Sequence, residues 1–279
     1  MRPAQVVTRA AAYLERHGIE SPMPTAERLL AHVLETDRAS IYARDGLTTQ
    51  EAKRFGRALC RRCAGEPLQH VTGTQGFRRL SLGVRTGVFV PRPETEVLVE
   101  VALAGLAGLD EPQVVDVGTG AGPVALAVKD ERPDARVLAI DVSADAVDLA
   151  RRNAEHLGLD VTVRQGDLLE GLPNDLRAEV DAIVSNPPYV PREERSTLPV
   201  EVLAEPEAAV FGTIDLYRRL FAQAAGALRP GGLLAVEIHE GAAADVAAAA
   251  RDAGFVDVHV TRDLAGRDRV VSGRRPRPS

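Results

Sequence analysis

The stretch VSNPPYV, Val184 to Val190, ends an apolar run with an amide, two prolines and an aromatic ring. Prolines hold φ at about −65° and donate no backbone hydrogen bond, and the residue before a proline is kept out of the helical region. Asn186 and Tyr189 therefore sit on a stiff, extended exit from a strand. Such a mount suits a reaction in which orientation matters more than basicity. A planar –NH₂ group conjugated into an amide or ring is a poor nucleophile that carries two N–H donors. Asn186 Oδ1 can accept one of them, and the Pro187 carbonyl, fixed by the ring of Pro188, can accept the other. Both bonds draw the nitrogen toward tetrahedral geometry, and Tyr189 can lie flat on the planar group. Catalysis would then be positioning and electrostatics, with no strong base.

A second stretch supplies a partner for such a nucleophile. VVDVGTGAGPVALAV reads as a strand, a glycine turn and a helix. The pattern D-x-G-x-G-x-G runs from Asp116 through Gly118, Thr119, Gly120 and Ala121 to Gly122. Compared with the dinucleotide fingerprint G-x-G-x-x-G/A, the third glycine comes one residue early and Pro123 occupies the last small position. Proline is comfortable at the first position of a helix. The spacing suits S-adenosylmethionine, which has no pyrophosphate to cradle. Asp141 closes the next expected strand, RVLAIDVS, 21 residues after Gly120, where a carboxylate can accept both ribose hydroxyl protons. Asp167, in VRQGDLLEG, ends the following strand, where adenine would lie. Three successive strand ends line one crevice of a doubly wound sheet. The NPPY stretch ends the fourth strand and points into the same crevice.

The elements that must position these residues are legible as alternating periods. From Gln113 onward, strands are expected at 113–117, 136–141, 161–165, 180–185, 233–239, 256–261 and 268–273. Helices are expected at 123–131, 144–157, 216–228 and 242–253. This is a doubly wound α/β pattern, and the last two strands, joined through RDLAGRD, read as an antiparallel hairpin at one edge. Residues 1 to about 75 read as helices instead. TAERLLAHVLE places Leu29, Leu30, Val33 and Leu34 on one stripe, with Thr25 as its N-cap, and TTQEAKRFGRALCRRCAGEP starts like a capped helix that stops at Gly65 and Pro67. Between Gly76 and Val90 the alternation, broken by Gly83 and Gly87, suggests a hairpin, followed by the rigid loop PRPETE and a helix from Thr95. The expected domains are a helical head over 1–75, a hairpin linker over 76–94 and a catalytic domain over 95–279.

The chain has 279 residues, of which 45% are hydrophobic, enough for a packed core. No stretch approaches the roughly 20 apolar residues of a membrane span, and the first residues lack a signal-peptide pattern, so a cytoplasmic protein with no membrane partner is expected. Cys60 and Cys63 form a lone C-x-x-C in a helical context; they read as two small helix residues, and no metal is expected. The net charge of −6 is uneven: residues 1–85 carry 14 Lys+Arg against 8 Asp+Glu. A basic head could meet an acidic partner or RNA, or be a solvated helix surface.

The motifs together resemble the HemK/PrmC protein-(glutamine-N5) methyltransferases. The resemblance rests on AERLLAHVL and GEPLQHVTG in the head, then FVPRPETEVLVE, VVDVGTGAG, AIDVSADAVDLARRNAEHLG, VSNPPYVP, AEPEAAVFG and LRPGGLLAVEI. It implies a Rossmann-like class I methyltransferase sheet of seven strands, the last antiparallel, behind a helical domain that helps grip the substrate. It implies S-adenosylmethionine as cofactor and, as substrate, the glutamine of the GGQ motif of peptide chain release factors. Carried over by position, the cofactor loop falls on Gly118 to Gly122, the ribose carboxylate on Asp141 and an adenine-side position on Leu168, beside Asp167. The substrate-amide motif falls on Asn186, Pro187, Pro188 and Tyr189. Pro123, the short VFGTIDLYRR segment and VEIHEG depart from the family pattern. The same chemistry on another protein glutamine, such as one in a ribosomal protein, or on an exocyclic amine of a nucleic-acid base is the alternative. A non-catalytic cofactor-binding module is a third reading, which the intact NPPY motif opposes. The acidic body argues against direct DNA binding, and a monomer is expected.

Overall fold

The structure is a computed structural model that describes residues 2–278. Its first segment is helical: α1 (Pro3–Arg16), α2 (Pro22–Leu34), a 3₁₀ turn (Ser40–Ala43), α3 (Thr49–Cys63) and α4 (Leu68–Thr72). Leu14, Leu29, Leu30, Ile41, Phe55 and Val71 form its core. The cap expected at Thr25 lies elsewhere. Prolines at 22 and 24 are tolerated in a first helical turn, so α2 starts at Pro22 and the Thr25 N–H donates to Ser21 O at 3.1 Å. At α3 the expected cap is present: Glu51 N–H donates to Thr48 Oγ1 at 3.2 Å and Thr48 N–H donates to Glu51 Oε2 at 2.7 Å, a reciprocal capping box. Cys60 and Cys63 are free thiols on this helix.

A two-stranded hairpin follows, β1 (Thr74–Phe77) and β2 (Leu80–Gly83). It is shorter than the alternation from Gly76 to Val90 predicts, because the backbone leaves the ladder at Gly83. There its N–H donates to Asn153 Oδ1 at 2.8 Å and its carbonyl accepts from Asn153 Nδ2 at 3.0 Å. A side chain thus replaces the partner strand. A 3₁₀ turn (Pro93–Thr95) leads into α5 (Glu96–Gly105).

The remainder alternates: β3 (Gln113–Val117), α6 (Pro123–Glu131), β4 (Arg136–Asp141), α7 (Ala144–Leu157), β5 (Val161–Gln165), β6 (Val180–Ser185), the short α8 (Val200–Leu203) and α9 (Glu207–Val210), α10 (Ile214–Ala227), β7 (Leu228–Glu237), α11 (Ala243–Asp252), β8 (Val256–Arg262) and β9 (Asp268–Arg274). The seven strands are ordered β5-β4-β3-β6-β7-β9-β8. β9 runs antiparallel to both neighbours; the other pairings are parallel. β7 begins five residues before the expected 233, pairing Leu228 with Val180 across an irregularity that takes up Pro230 and Gly231.

Both faces of the sheet are covered, so its central strands are mainly apolar. Ile140, Ile183, Phe221 and Val236 pack on one side, and Leu98, Leu126, Ala182 and Val184 on the other. Adjacent residues of β6 thus serve opposite layers, as strand geometry requires. Residues up to Thr74 together with Pro199–Ala204 make one compact unit, and Gln75–Leu198 with the chain from Glu205 onward make a second. Among the described residues, no helix is long and apolar enough to cross a membrane.

Candidate active site

The ladder registers bring the candidate residues to one rim. Val117 is paired with Ile140 and with Ser185, Asp141 with Gln165, and Ser185 with Val236. The loops after β3, β4, β5, β6 and β7 therefore emerge side by side. β6 lies next to β3, not beyond β5, so the chain reverses direction across the sheet between the glycine loop and the NPPY stretch. That is the switch point at which open α/β sheets bind ligands.

The glycine loop is held by main-chain bonds. Gly118 N–H and Thr119 N–H donate to Ile140 O at 2.8 and 3.0 Å, and Gly122 N–H donates to Thr119 O at 2.9 Å. Gly118, Gly120 and Gly122 have φ of 72°, 58° and 88°, values that a side chain makes costly. A Cβ on Gly122 would lie 3.0 Å from Leu126, whereas one on Gly120 would meet nothing within 4 Å. Open space therefore faces the loop at Gly120 and packing faces it at Gly122. Pro123 opens α6 as expected. Ala121 is buried against Val88, Ala146 and Leu149.

Asp116 and Asp141 behave differently. Asp116 is buried; its Oδ2 accepts from Thr119 Oγ1 at 2.6 Å and from Ala125 N–H at 3.1 Å. Burial lifts its pKa to about 6 against the pull of these two donors. Its side chain thus braces the loop. Asp141 accepts from Gly120 N–H through Oδ2 and from Ser143 N–H through Oδ1, both at 2.8 Å. Burial raises its pKa too, opposed by those N–H groups. Each of its oxygens keeps a lone pair for a second donor at the rim, beside the open space at Gly120. Two residues past the end of β5, Asp167 is half-buried and forms an ion pair with Arg219 at 2.6 Å. Leu168 is buried with φ of 52°.

The NPPY stretch is held by side chains. Ser185 Oγ donates to Val117 O at 2.7 Å, tying the end of β6 to that of β3. Asn186 Nδ2 donates to Thr95 Oγ1 at 3.0 Å, which leaves Oδ1 as the amide's available acceptor. The main-chain oxygen of Asn186 would be 4.0 Å from a Cβ on Gly118, so the two motifs are neighbours. Tyr189 OH donates to Glu237 Oε1 at 3.1 Å, and burial, then the Glu237 charge, pushes its pKa up. Val190 N–H donates to Val210 O at 3.0 Å and Gly212 N–H donates to Val190 O at 3.2 Å. A Cβ on Gly212 would lie 1.8 Å from Pro188 O, so only glycine lets this segment back the proline pair.

The structure thus brings Asp116, the Gly118–Gly122 loop, Asp141, Leu168 and Asn186–Tyr189 to one rim, with Asp167 at its exposed edge. Sequence reasoning missed Thr95, Ser185, Gly212 and Glu237. Glu237 did leave a signal, since it is a carboxylate inside the apolar run LLAVEI. Thr95 lay within PRPETE, read only as a stiff loop.

Residues 5–73 match the family model described as PrmC N-terminal domain, and residues 92–247 match the methyltransferase small domain. The chain is 41% identical over 280 residues to a release factor glutamine methyltransferase of Deinococcus radiodurans, covering 99% of each. It is 39% identical over 282 residues to the protein of that name from Streptomyces coelicolor, covering 98% of each. Among solved structures, a ribosomal protein methylase of Lactobacillus delbrueckii subsp. bulgaricus matches with a TM-score of 0.51 and 21% identity over 69% of this chain and 84% of that one. A 16S rRNA N2 methyltransferase of T. thermophilus, solved with AdoMet and guanosine, gives 0.55 and 20% over 72% and 49%. Those two structures share the fold; the near-full-length relatives, with both domain models, place this chain in the release factor glutamine methyltransferase family.

Proposed function

We propose that this protein transfers the methyl group of S-adenosylmethionine to the side-chain amide nitrogen of the glutamine in the GGQ motif of a peptide chain release factor. The observation that carries the reading is the adjacency of the glycine loop to Asn186, with the Asn186 main-chain oxygen close to Gly118. A donor held at one motif would meet an amide held at the other. The donor set fits the cofactor: open space at Gly120, and the free lone pairs of Asp141 at the next strand end. Gly118–Gly122, Asp141 and the main chain near Leu168 would hold it. Bound there, S-adenosylmethionine supplies an electrophilic methyl on a sulfonium. The chain's own residues do the rest. Asn186 Oδ1 and the Pro187 carbonyl accept the two amide protons of the substrate glutamine, and Gly212 keeps the proline pair in place behind them. Tyr189, pinned through its hydroxyl, presents its ring to the planar amide. The amide proton lost on methylation passes to solvent. The helical head, which matches the PrmC N-terminal domain model, is proposed to contribute to gripping the release factor.

The test is methylation of a GGQ-containing release factor with isotope-labelled S-adenosylmethionine, followed by peptide mass spectrometry. The label is expected on the GGQ glutamine. Label on a ribosomal protein or on a nucleobase, with an unlabelled release factor, overturns the substrate assignment.

A further inference from the structure

Asn186 can serve as described only if its amide presents oxygen, and not nitrogen, to the substrate. The two ends of a primary amide have nearly the same shape, so packing alone discriminates poorly between the two orientations. Hydrogen-bond direction does discriminate. The partner of Asn186 is Thr95 Oγ1, and a hydroxyl can either accept or donate. What would fix the hydroxyl is its other neighbour, the Glu237 carboxylate, whose pKa the Thr95 side chain helps to hold down. Oε1 of Glu237 is taken by Tyr189, and Oε2 is buried with no hydrogen-bond partner, an acceptor open to the Thr95 proton. An ionised carboxylate only accepts, so it holds the Thr95 proton on its own side. The lone pairs of Thr95 then face Asn186 and require its –NH₂. The same carboxylate accepts the Tyr189 hydroxyl.

We infer that Thr95 and Glu237 form a one-way hydrogen-bond relay that sets the amide of Asn186 with Oδ1 outward and fixes the ring of Tyr189 in the same act. Both are positioning residues, and the inference rests on the amide-binding role proposed for Asn186. The relay draws on three distant parts of the chain: Thr95 precedes α5, Asn186 and Tyr189 follow β6, and Glu237 ends β7. Its sense depends on the charge of Glu237. A protonated Glu237 could donate to Thr95, whose own proton would then turn to Asn186 and favour the reversed amide.

The surroundings place that charge near its tipping point. Burial lifts the Glu237 pKa to about 7, with the hydroxyls of Thr95 and Tyr189 and the charge of Arg269 holding it down and the charge of Glu94 pushing it up. Tyr217 faces Glu237 from α10, donating its hydroxyl to the Glu237 main-chain oxygen at 2.8 Å. Arg269 is itself paired with Asp263 at 3.1 Å. The charged form is the one that orients Asn186, so activity falls as pH drops through the neutral range.

Two readouts on the full chain test this. Side-chain amide NMR of Asn186 needs no substrate. In the wild type its –NH₂ signals should titrate near neutral pH. In Glu237→Gln that titration should vanish, and in Thr95→Val the protected –NH₂ signal should be lost. Turnover on a GGQ-containing release factor should drop about ten- to a hundredfold in Thr95→Val, the scale of an unsatisfied buried partner, with cofactor affinity unchanged and with Thr95→Ser restoring most of it. Glu237→Gln should abolish the acidic limb of the turnover profile. An Asn186 amide that ignores pH and both substitutions overturns the relay, as does wild-type turnover with an unaltered profile in Thr95→Val. A wild type that shows the amide titration but methylates no GGQ glutamine keeps the relay and loses the substrate assignment instead.

Discussion

At the ends of β3 and β4 the chain fixes its candidate groups with its own main chain, whereas at the ends of β6 and β7 it fixes them with side chains from remote segments. Asp141 is held by the N–H groups of Gly120 and Ser143, and the glycine loop by the carbonyl of Ile140. Asn186 is held by Thr95, 91 positions earlier, and Tyr189 by Glu237, 48 positions later. A main-chain mount tolerates substitution around it but demands particular backbone angles. A side-chain mount demands particular partners. The first suits a ligand of fixed shape. The second suits the aiming of individual hydrogen bonds, as the proposed reaction at an amide nitrogen requires.

The sharpest break of this comparison is at Asn186 itself. Asn186→Ala removes the only side-chain acceptor proposed for the substrate amide, and turnover on a GGQ-containing protein should fall by roughly 10²–10³, the scale of one preorganised polar contact in a transition state. Cofactor affinity should change far less, because the main-chain rim is intact. Asn186→Asp keeps an acceptor but adds a charge that must be desolvated, and Thr95 would then have to turn its proton away from Glu237. Its rate should lie between those of the alanine variant and the wild type. Single-turnover methylation, with cofactor affinity measured by calorimetry, reads both. Wild-type turnover in the alanine variant would reduce Asn186 to a strand-ending residue.

The same contrast explains which parts could be read from the sequence. The glycine loop is contiguous, and its φ values are written into residue type, so Gly118, Gly120 and Gly122 announced themselves. The strands β3, β4, β5 and β6 were legible to the residue: β3, β4 and β6, buried on both faces, are mainly apolar between polar turns, and the edge strand β5 shows itself by the alternation of VTV. Thr95 and Glu237 were not legible as site residues. Their roles come from strand order, which puts β6 beside β3 and β7 beside β6, and no local pattern encodes that juxtaposition. Gly212 is similar: a glycine followed by Thr213 looks like an ordinary helix entrance, and its role appears only once Pro188 O lies against it. The misplaced cap at Thr25 is a local failure: the helix begins three residues earlier, at Pro22, because prolines are tolerated in its first turn.

The next break lies on the main-chain rim. Asp141→Ala deletes a charged acceptor and should weaken S-adenosylmethionine binding by roughly 1.5–3 kcal/mol, about ten- to a hundredfold. Asp141→Asn keeps one acceptor and should fall between. The turnover rate at saturating cofactor should fall less than the affinity, the reverse of the pattern at Asn186. Calorimetric titration against both variants checks this; an unchanged affinity in Asp141→Ala would remove the carboxylate from the cofactor site.

The smallest effect is expected at Asp167, and it sharpens the comparison by holding residue type constant. Asp141 is the last residue of β4 and Asp167 lies two residues past the end of the adjacent β5, and the sequence presents the two carboxylates alike. Their settings differ. The Asp141 side chain is largely enclosed and receives two main-chain N–H bonds, so its oxygens are aimed. The Asp167 side chain is 44% exposed and shares its charge with Arg219, itself 53% exposed. Exposed ion pairs contribute roughly 0–1 kcal/mol because solvent screens them and two side chains must be ordered. Asp167→Ala should therefore change cofactor affinity by less than about fivefold, and Arg219→Ala by no more. The main chain at Leu168, with φ of 52° and a buried side chain, would be the part of this loop that meets the ligand. If Asp167→Ala instead matched Asp141→Ala in calorimetry, aim supplied by main-chain bonds would not be what separates the two carboxylates, and strand-end position alone would be sufficient.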